Sequence, residues 1–307
     1  MRDSCSRELT CLARSDPRII ILSGDIGNHM FDGFKAEFPD RFYNCGVAEA
    51  NMISVAAGLA LSGYRPFVYT FAAFDLTRCF EQVRIDVCFQ NLPVVIIGLG
   101  GGLTYAPLGP THYICEDISI LRCLPNMTIV CPADQAEVMA SLRSSLDHHG
   151  PMYIRINKKN EPCIYTGEPD FSLGRAQLIQ DGNDVCIITT GVLLSEVIRA
   201  ARILEERNIS ACVVHFHTIK PVDEIMLREV FSRFSVVVSV EEHTLPGGLG
   251  GMIAEWMIDN RIKSSDLIRI GTGDYFLTHC LSQKEARDHF GISADLIAGK
   301  IADGLNK

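Results

Sequence analysis

Short runs of β-branched and apolar residues recur along the chain, separated by longer stretches in which apolar positions repeat at helical spacing. Ile19–Leu22 flanked by Arg18 and Ser23, Pro66–Tyr69, Pro93–Gly98, Met127–Cys131 and Met152–Ile156 read as buried strands. The spans Ala50–Ser62, Leu76–Gln90 and Gln135–His148 read as helices between them. The opening segment, Arg2 to Arg14, alternates charged and apolar residues as an amphipathic helix does. Continuous apolar strands alternating with helices predict an α/β fold with a mostly parallel sheet covered by helices on both faces.

Polarity rises between Asn157 and Gly174, where Lys158, Lys159, Asn160, Glu161 and Pro162 precede Glu168-Pro169-Asp170. This is the natural linker. The alternation then restarts with strands at Val185–Thr189, Ser210–His215, Val236–Val240 and Leu267–Ile270, and helices at Leu194–Arg207 and Asp223–Phe234. A Gly-rich turn at Gly247–Gly251 opens a further helix. The expectation is two α/β domains, 1–157 and 175–307, joined by a linker over 158–174.

Composition narrows the function more than the fold. A net charge of −9 over 307 residues, with no basic run, argues against nucleic acid or an anionic membrane surface as partner. The 12 cysteines are scattered, with neither Cys-x-x-Cys nor zinc spacing, which fits a reduced, cytoplasmic protein. No apolar stretch approaches about 18 residues. The glycine clusters at Gly98–Gly102 and Gly247–Gly251 fit no nucleotide-binding fingerprint and read as tight turns with close backbone packing.

One acid stands apart. Glu49 heads a stretch of small and apolar residues, Met52 to Ala60. A carboxylate entering such surroundings loses hydration and can hold a proton near neutral pH, as acid–base chemistry requires. A solvated Glu at a helix N-terminus, favoured by the dipole, would show the same local sequence.

Several segments taken in order resemble one family. They are Gly24-Asp25-Ile26-Gly27; Phe38–Met52, containing Asn44-Cys45-Gly46-Val47-Ala48-Glu49; Thr70-Phe71-Ala72-Ala73-Phe74 with Arg78 and Gln82-Val83-Arg84; and Gly109-Pro110-Thr111-His112 leading into Glu116-Asp117-Ile118. The chain resembles the C-terminal half of a transketolase, as found in the separate small subunit of split bacterial enzymes. The resemblance implies a pyrimidine-binding domain to about residue 157 and a transketolase C-terminal domain after it.

It also implies thiamine diphosphate. In that family the Glu at position 49 shares a proton with the cofactor's pyrimidine ring nitrogen, which lets the cofactor lose its own C2 proton; the carbanion chemistry belongs to the cofactor. The resemblance implies an aromatic stacked on the pyrimidine at Phe74, and Asp25 with Ile26 beside the thiazolium; Phe71 reads as a core residue. It implies His112 as a hydrogen-bond donor to the reacting sugar oxygen, and Arg2, His29 and Lys158 as sugar- or phosphate-binding positions. Mg²⁺ and the diphosphate would be held by a second, diphosphate-binding subunit, giving an α2β2 assembly. Glu242 and His243 read as structural or interfacial.

The departures concern substrate. Pro107 and Leu108 stand where the family usually places Glu-Asp, whose Asp reads a sugar hydroxyl. Tyr113 replaces the Gln after the His, Gly100 replaces a phosphate-gripping His, and Lys158 stands near the second Arg of the phosphate clamp. Lys does not reproduce the bidentate geometry of Arg. An atypical sugar, such as a deoxy, amino or branched one, is the expectation. The β subunit of a 2-oxoacid dehydrogenase, or a deoxyxylulose-phosphate-type synthase, is the competing enzymatic reading. A non-catalytic relative that keeps the fold is the third.

Overall fold

The computed structural model describes residues 1–27, 29–158 and 161–305. The first half supplies strands β1 (Ile19–Ser23), β2 (Phe42–Asn44), β3 (Arg65–Phe71), β4 (Val95–Leu99), β5 (Thr128–Val130) and β6 (Met152–Ile156). The second half supplies β7 (Gln177–Gln180), β8 (Val185–Thr189), β9 (Ala211–His215), β10 (Thr218–Lys220), β11 (Val236–Thr244) and β12 (Asp266–Thr272). Every residue of β1, β4, β6, β8 and β9 is buried, as expected of parallel strands covered on both faces.

Two sheets result, both mostly parallel, so the α/β expectation holds. A seven-stranded sheet runs β10-β5-β6-β4-β3-β1-β2, and a five-stranded sheet runs β12-β11-β8-β9-β7. The antiparallel exceptions are edge strands: β7 beside β9 in the second sheet, and β10 beside β5 in the first. Strand β10 comes from the second half of the chain yet completes the sheet of the first. Three residues bounded by His217 and Pro221 are too short to announce themselves as a strand, and their partner lies about ninety residues upstream. The polar segment after residue 158 carries no helix or strand among its described residues, but it is pinned down. The backbone N–H groups of Ile164 and Tyr165 donate to Asp134, at 2.8 and 3.1 Å.

Register positions the site. Ser23 lies opposite both Asn44 and Tyr69, Phe71 opposite Leu99, and Leu99 opposite Ile156. The carboxyl ends of five neighbouring strands therefore lie along one edge, with β3, β4 and β6 reaching two residues beyond β1 and β2. The loops that leave them, starting at Gly24, Cys45, Ala72, Gly100 and Asn157, emerge along a single edge. In open α/β sheets this edge is where ligands bind.

The helix Glu49–Leu61 begins just beyond β2 and buries Met52, Ile53, Ala56, Ala57 and Ala60 against the sheet. The span expected as one helix from Leu76 to Gln90 is instead three consecutive turns. π-helical stretches at Phe74–Arg78 and Val83–Phe89 flank a short α-helical turn at Phe80–Gln82. Wide turns of this kind are common beside functional sites.

Candidate active site

Glu49 is the first residue of its helix, and its relative exposure is 3%. The surroundings are less uniformly apolar than the sequence suggests. Arg78 Nη1 lies 3.3 Å from both carboxylate oxygens. The Arg78 guanidinium sits 4.0 Å from the centre of the Phe74 ring. Phe74 and Arg78 are four residues apart on one helical turn and so share a face, one side chain presenting a flat ring and the other a charge. In the sequence Arg78 marks a family segment but shows no sign of a contact with Glu49, 29 residues upstream.

Asp75, the next residue after Phe74, is fully buried, and neither carboxylate oxygen has a hydrogen-bond partner. Burial, with the charge on Glu49 second, pushes its carboxyl well above the usual carboxylate range. Two acids thus share the floor of the site. One has a guanidinium beside it as an ionic partner; the other has no such cation.

An aromatic cluster forms the wall. Phe71, at the end of β3, meets Phe74, Tyr105 and His112 edge-on, with ring centres at 5.3, 4.8 and 5.2 Å. Phe74 also meets His112, at 5.3 Å. Phe71 is therefore the hub of the site's rings rather than a residue of the deep core. Thr111 Oγ1 lies 2.9 Å from His112 Nδ1; where Nδ1 accepts the hydroxyl hydrogen, Nε2 keeps its own as a donor.

Tyr105 is the residue that sequence reading missed. A Cβ on Gly100 would come 2.1 Å from its ring, so the position where a phosphate-gripping His was expected is covered by a tyrosine face. Gly100 has φ +84°, a conformation that glycine adopts without strain. Lys158 Nζ lies 5.4 Å from the centre of the same ring. Arg2 is half-buried, with its Nε buried and unpartnered. The cleft beside Arg2 is lined by Ser4, Arg7 and Gln135 as well.

The remaining positions lie apart from that cluster. Asp25, just past β1, is exposed with φ +58°, and its Oδ1 accepts a 2.9 Å hydrogen bond from Asn44 Nδ2. Ile26 is half-buried, and its carbonyl accepts from Ser23 Oγ at 2.7 Å. His29 is 93% exposed and pairs with Asp32 at 2.9 Å. No described contact joins it to the ring cluster. Leu108, half exposed, sits on the turn Ala106–Leu108 that leads to His112. Tyr113 turns away from the site, and its hydroxyl accepts the Leu277 N–H at 2.8 Å. Among the described residues, no group of three or more His, Cys, Asp or Glu is placed to hold a metal ion, and no helix is long and apolar enough to cross a membrane.

Residues 1–162 match the transketolase pyrimidine-binding domain, and residues 174–297 match the transketolase C-terminal domain. The chain is 37% identical over 299 residues to the 6-deoxy-6-sulfo-D-fructose transketolase subunit SqwH of Clostridium sp. (strain MSTE9), covering 96% of this chain and 91% of that one. It is 34% identical over 309 residues to a subunit of the apulose-4-phosphate transketolase of Phocaeicola vulgatus, covering 100% and 97%. A solved structure titled "Split gene transketolase, inactive beta4 tetramer" superposes with a TM-score of 0.89 at 31% identity, over 99% of this chain and 97% of that one. With both family domains matched in order along the chain, the chain belongs to the transketolase family.

Proposed function

We propose that this chain is the small subunit of a heteromeric thiamine-diphosphate-dependent transketolase that moves a two-carbon ketol unit between sugars, at least one of them atypical. The observation that carries this reading is Glu49, a nearly inaccessible carboxyl at a helix head, joined through Arg78 to the Phe74 ring. These residues fit the aminopyrimidine end of the cofactor, since one acid can share a proton with a ring nitrogen and one aromatic can stack on the ring. Asp25 and Ile26 border the neighbouring position. The relatives that are named as subunits support a second polypeptide, to which this reading assigns the diphosphate and its Mg²⁺, in a proposed α2β2 assembly.

Thiamine diphosphate supplies the carbanion chemistry when bound. This chain's residues bind, orient and move protons. Glu49 presents a nearly inaccessible carboxyl as the group that would exchange a proton with the pyrimidine ring nitrogen. His112 donates a hydrogen bond to the sugar oxygen on which charge develops, and the edge contacts of Phe71 and Phe74 fix its ring. Lys158 and Arg2 offer positive charge to an anionic sugar group, with His29 at the rim. The alkyl group of Leu108, where a carboxylate would read a hydroxyl, favours a sugar lacking that hydroxyl. The two relatives named for sulfofructose and apulose phosphate make an unusual sugar the natural expectation.

The test is Glu49→Gln in the complex reconstituted with its diphosphate-binding partner. Loss of about 10²–10⁴-fold in turnover is expected, with the folded spectrum retained. Unchanged turnover would overturn the reading. Normal rates with xylulose 5-phosphate and ribose 5-phosphate would remove the atypical sugar, and decarboxylation of pyruvate would move the assignment to the decarboxylating enzymes of the same fold.

A further inference from the structure

The loop that carries His112 belongs to the first sheet, yet it is gripped from the second. Glu242, near the end of β11, is 2% exposed. Its Oε1 accepts the backbone N–H of Leu103 at 2.7 Å, across 139 residues of sequence. The same oxygen accepts from Gln283 Nε2 at 3.0 Å, while Oε2 accepts from Arg287 Nε at 2.5 Å. Gln283 and Arg287 lie on the helix Gln283–Phe290 of the second half. Gly102 fits against this carboxylate because it has no side chain: a Cβ there would come 2.6 Å from Glu242 Oε1.

The grip is transmitted along the loop. Gly102 and Ile114 exchange backbone hydrogen bonds at 2.7 and 3.2 Å, closing the segment into a ring that carries His112 two residues from the closure. Within that ring, Tyr105 presses on Phe71, the side chain that also contacts His112. Removing the Glu242 carboxylate leaves the Leu103 N–H buried without an acceptor and frees the base of the loop.

We propose that Glu242 is a positioning residue: from the C-terminal domain it fixes the Leu103–Ile114 loop, and through it the His112 ring, while itself touching neither cofactor nor sugar. A domain with no side chain among the site's rings would then still set the geometry of the site.

Amide hydrogen exchange on the intact chain tests this without substrate or partner. In Glu242→Ala, peptides spanning residues 102–114 are expected to exchange at least about tenfold faster, with β3, β4 and β6 unchanged. Glu242→Asp withdraws the carboxylate by one methylene and should show the same localised effect if the alanine variant does not fold. Glu242→Gln, which keeps an acceptor for Leu103, should return the loop to within about twofold of the parent rate. Loop exchange that stays unchanged, or that accelerates equally throughout the chain, overturns the proposal.

A kinetic cycle, resting on the role given to His112 above, supplies the functional readout. In the reconstituted enzyme Glu242→Ala should lower kcat about tenfold in the parent background, and less than about twofold when His112 is already alanine. Equal losses in both backgrounds refute positioning. A His112→Ala variant with full activity refutes the functional reading instead and leaves the exchange result to decide.

Discussion

Arg78 donates one N–H to both oxygens of Glu49 at 3.3 Å, while its guanidinium lies 4.0 Å from the centre of the Phe74 ring. The aromatic face and the acid proposed to receive the cofactor's ring are thus bridged by one half-exposed cation. A cation over an aromatic face is worth about 0.5–1 kcal/mol at an exposed site. That is small enough for a stacking ring to displace it.

Phe74 and Phe71 should therefore separate binding from turnover. Phe74→Ala removes the stacking surface, and half-saturation by thiamine diphosphate should rise about two- to tenfold, the equivalent of about 0.5–1.5 kcal/mol. Phe71→Ala leaves that surface but takes away one of the two edge contacts of His112, together with the link to Tyr105. Its effect should fall on kcat, with cofactor affinity within about twofold. Titration of the reconstituted complex distinguishes the two, and the reverse pattern would contradict the geometry.

Leu108 should govern sugar choice. Leu108→Asp restores a carboxylate at a half-exposed position on the turn leading to His112, and it is expected to raise kcat/KM for a polyhydroxylated sugar phosphate relative to the enzyme's own substrate by about tenfold. Competition between the two sugars measures the ratio directly. No change in the ratio would remove Leu108 from the specificity argument.

Asp75 gives a pH dependence of defined sign. Its carboxyl is raised in the folded chain, so the folded state binds more protons than the unfolded state above the ordinary carboxylate pKa. Stability from this group is complete below about pH 4 and declines as the pH climbs toward the raised value. Asp75→Asn should raise Tm at about pH 7–8, by about 1–3 kcal/mol equivalent, and have little effect near pH 4. Calorimetry at the two pH values checks it; a gain that is larger in acid would be the wrong sign.

Asp117, at the start of the helix that follows the His112 loop, holds two side chains of β6. It accepts Arg155 Nε at 2.7 Å, Arg155 Nη2 at 3.0 Å and the Tyr153 hydroxyl at 2.9 Å, all without access to water. Asp117→Ala strands the Arg155 guanidinium in the interior and should cost about 3–5 kcal/mol in denaturant unfolding. A loss below about 1 kcal/mol would show that water or another acid reaches Arg155.

The sequence by itself determined the fold class, most strands to within a residue or two, and the segments that supply the strand-end site. Hydrophobic periodicity is a local property, and solvent acts on each element separately. It also marked the glycine clusters as places of close approach, but not what approaches: Tyr153 beside Gly98, Tyr105 beside Gly100, Arg155 beside Gly101 and Glu242 beside Gly102. The tertiary structure alone decided the partners. Arg78 at Glu49, Tyr105 over Gly100, β10 in the first sheet and Glu242 under the His112 loop each depend on residues that meet only once the chain has folded back on itself. A hydrogen bond spanning 139 residues leaves no periodic trace in the chain that forms it.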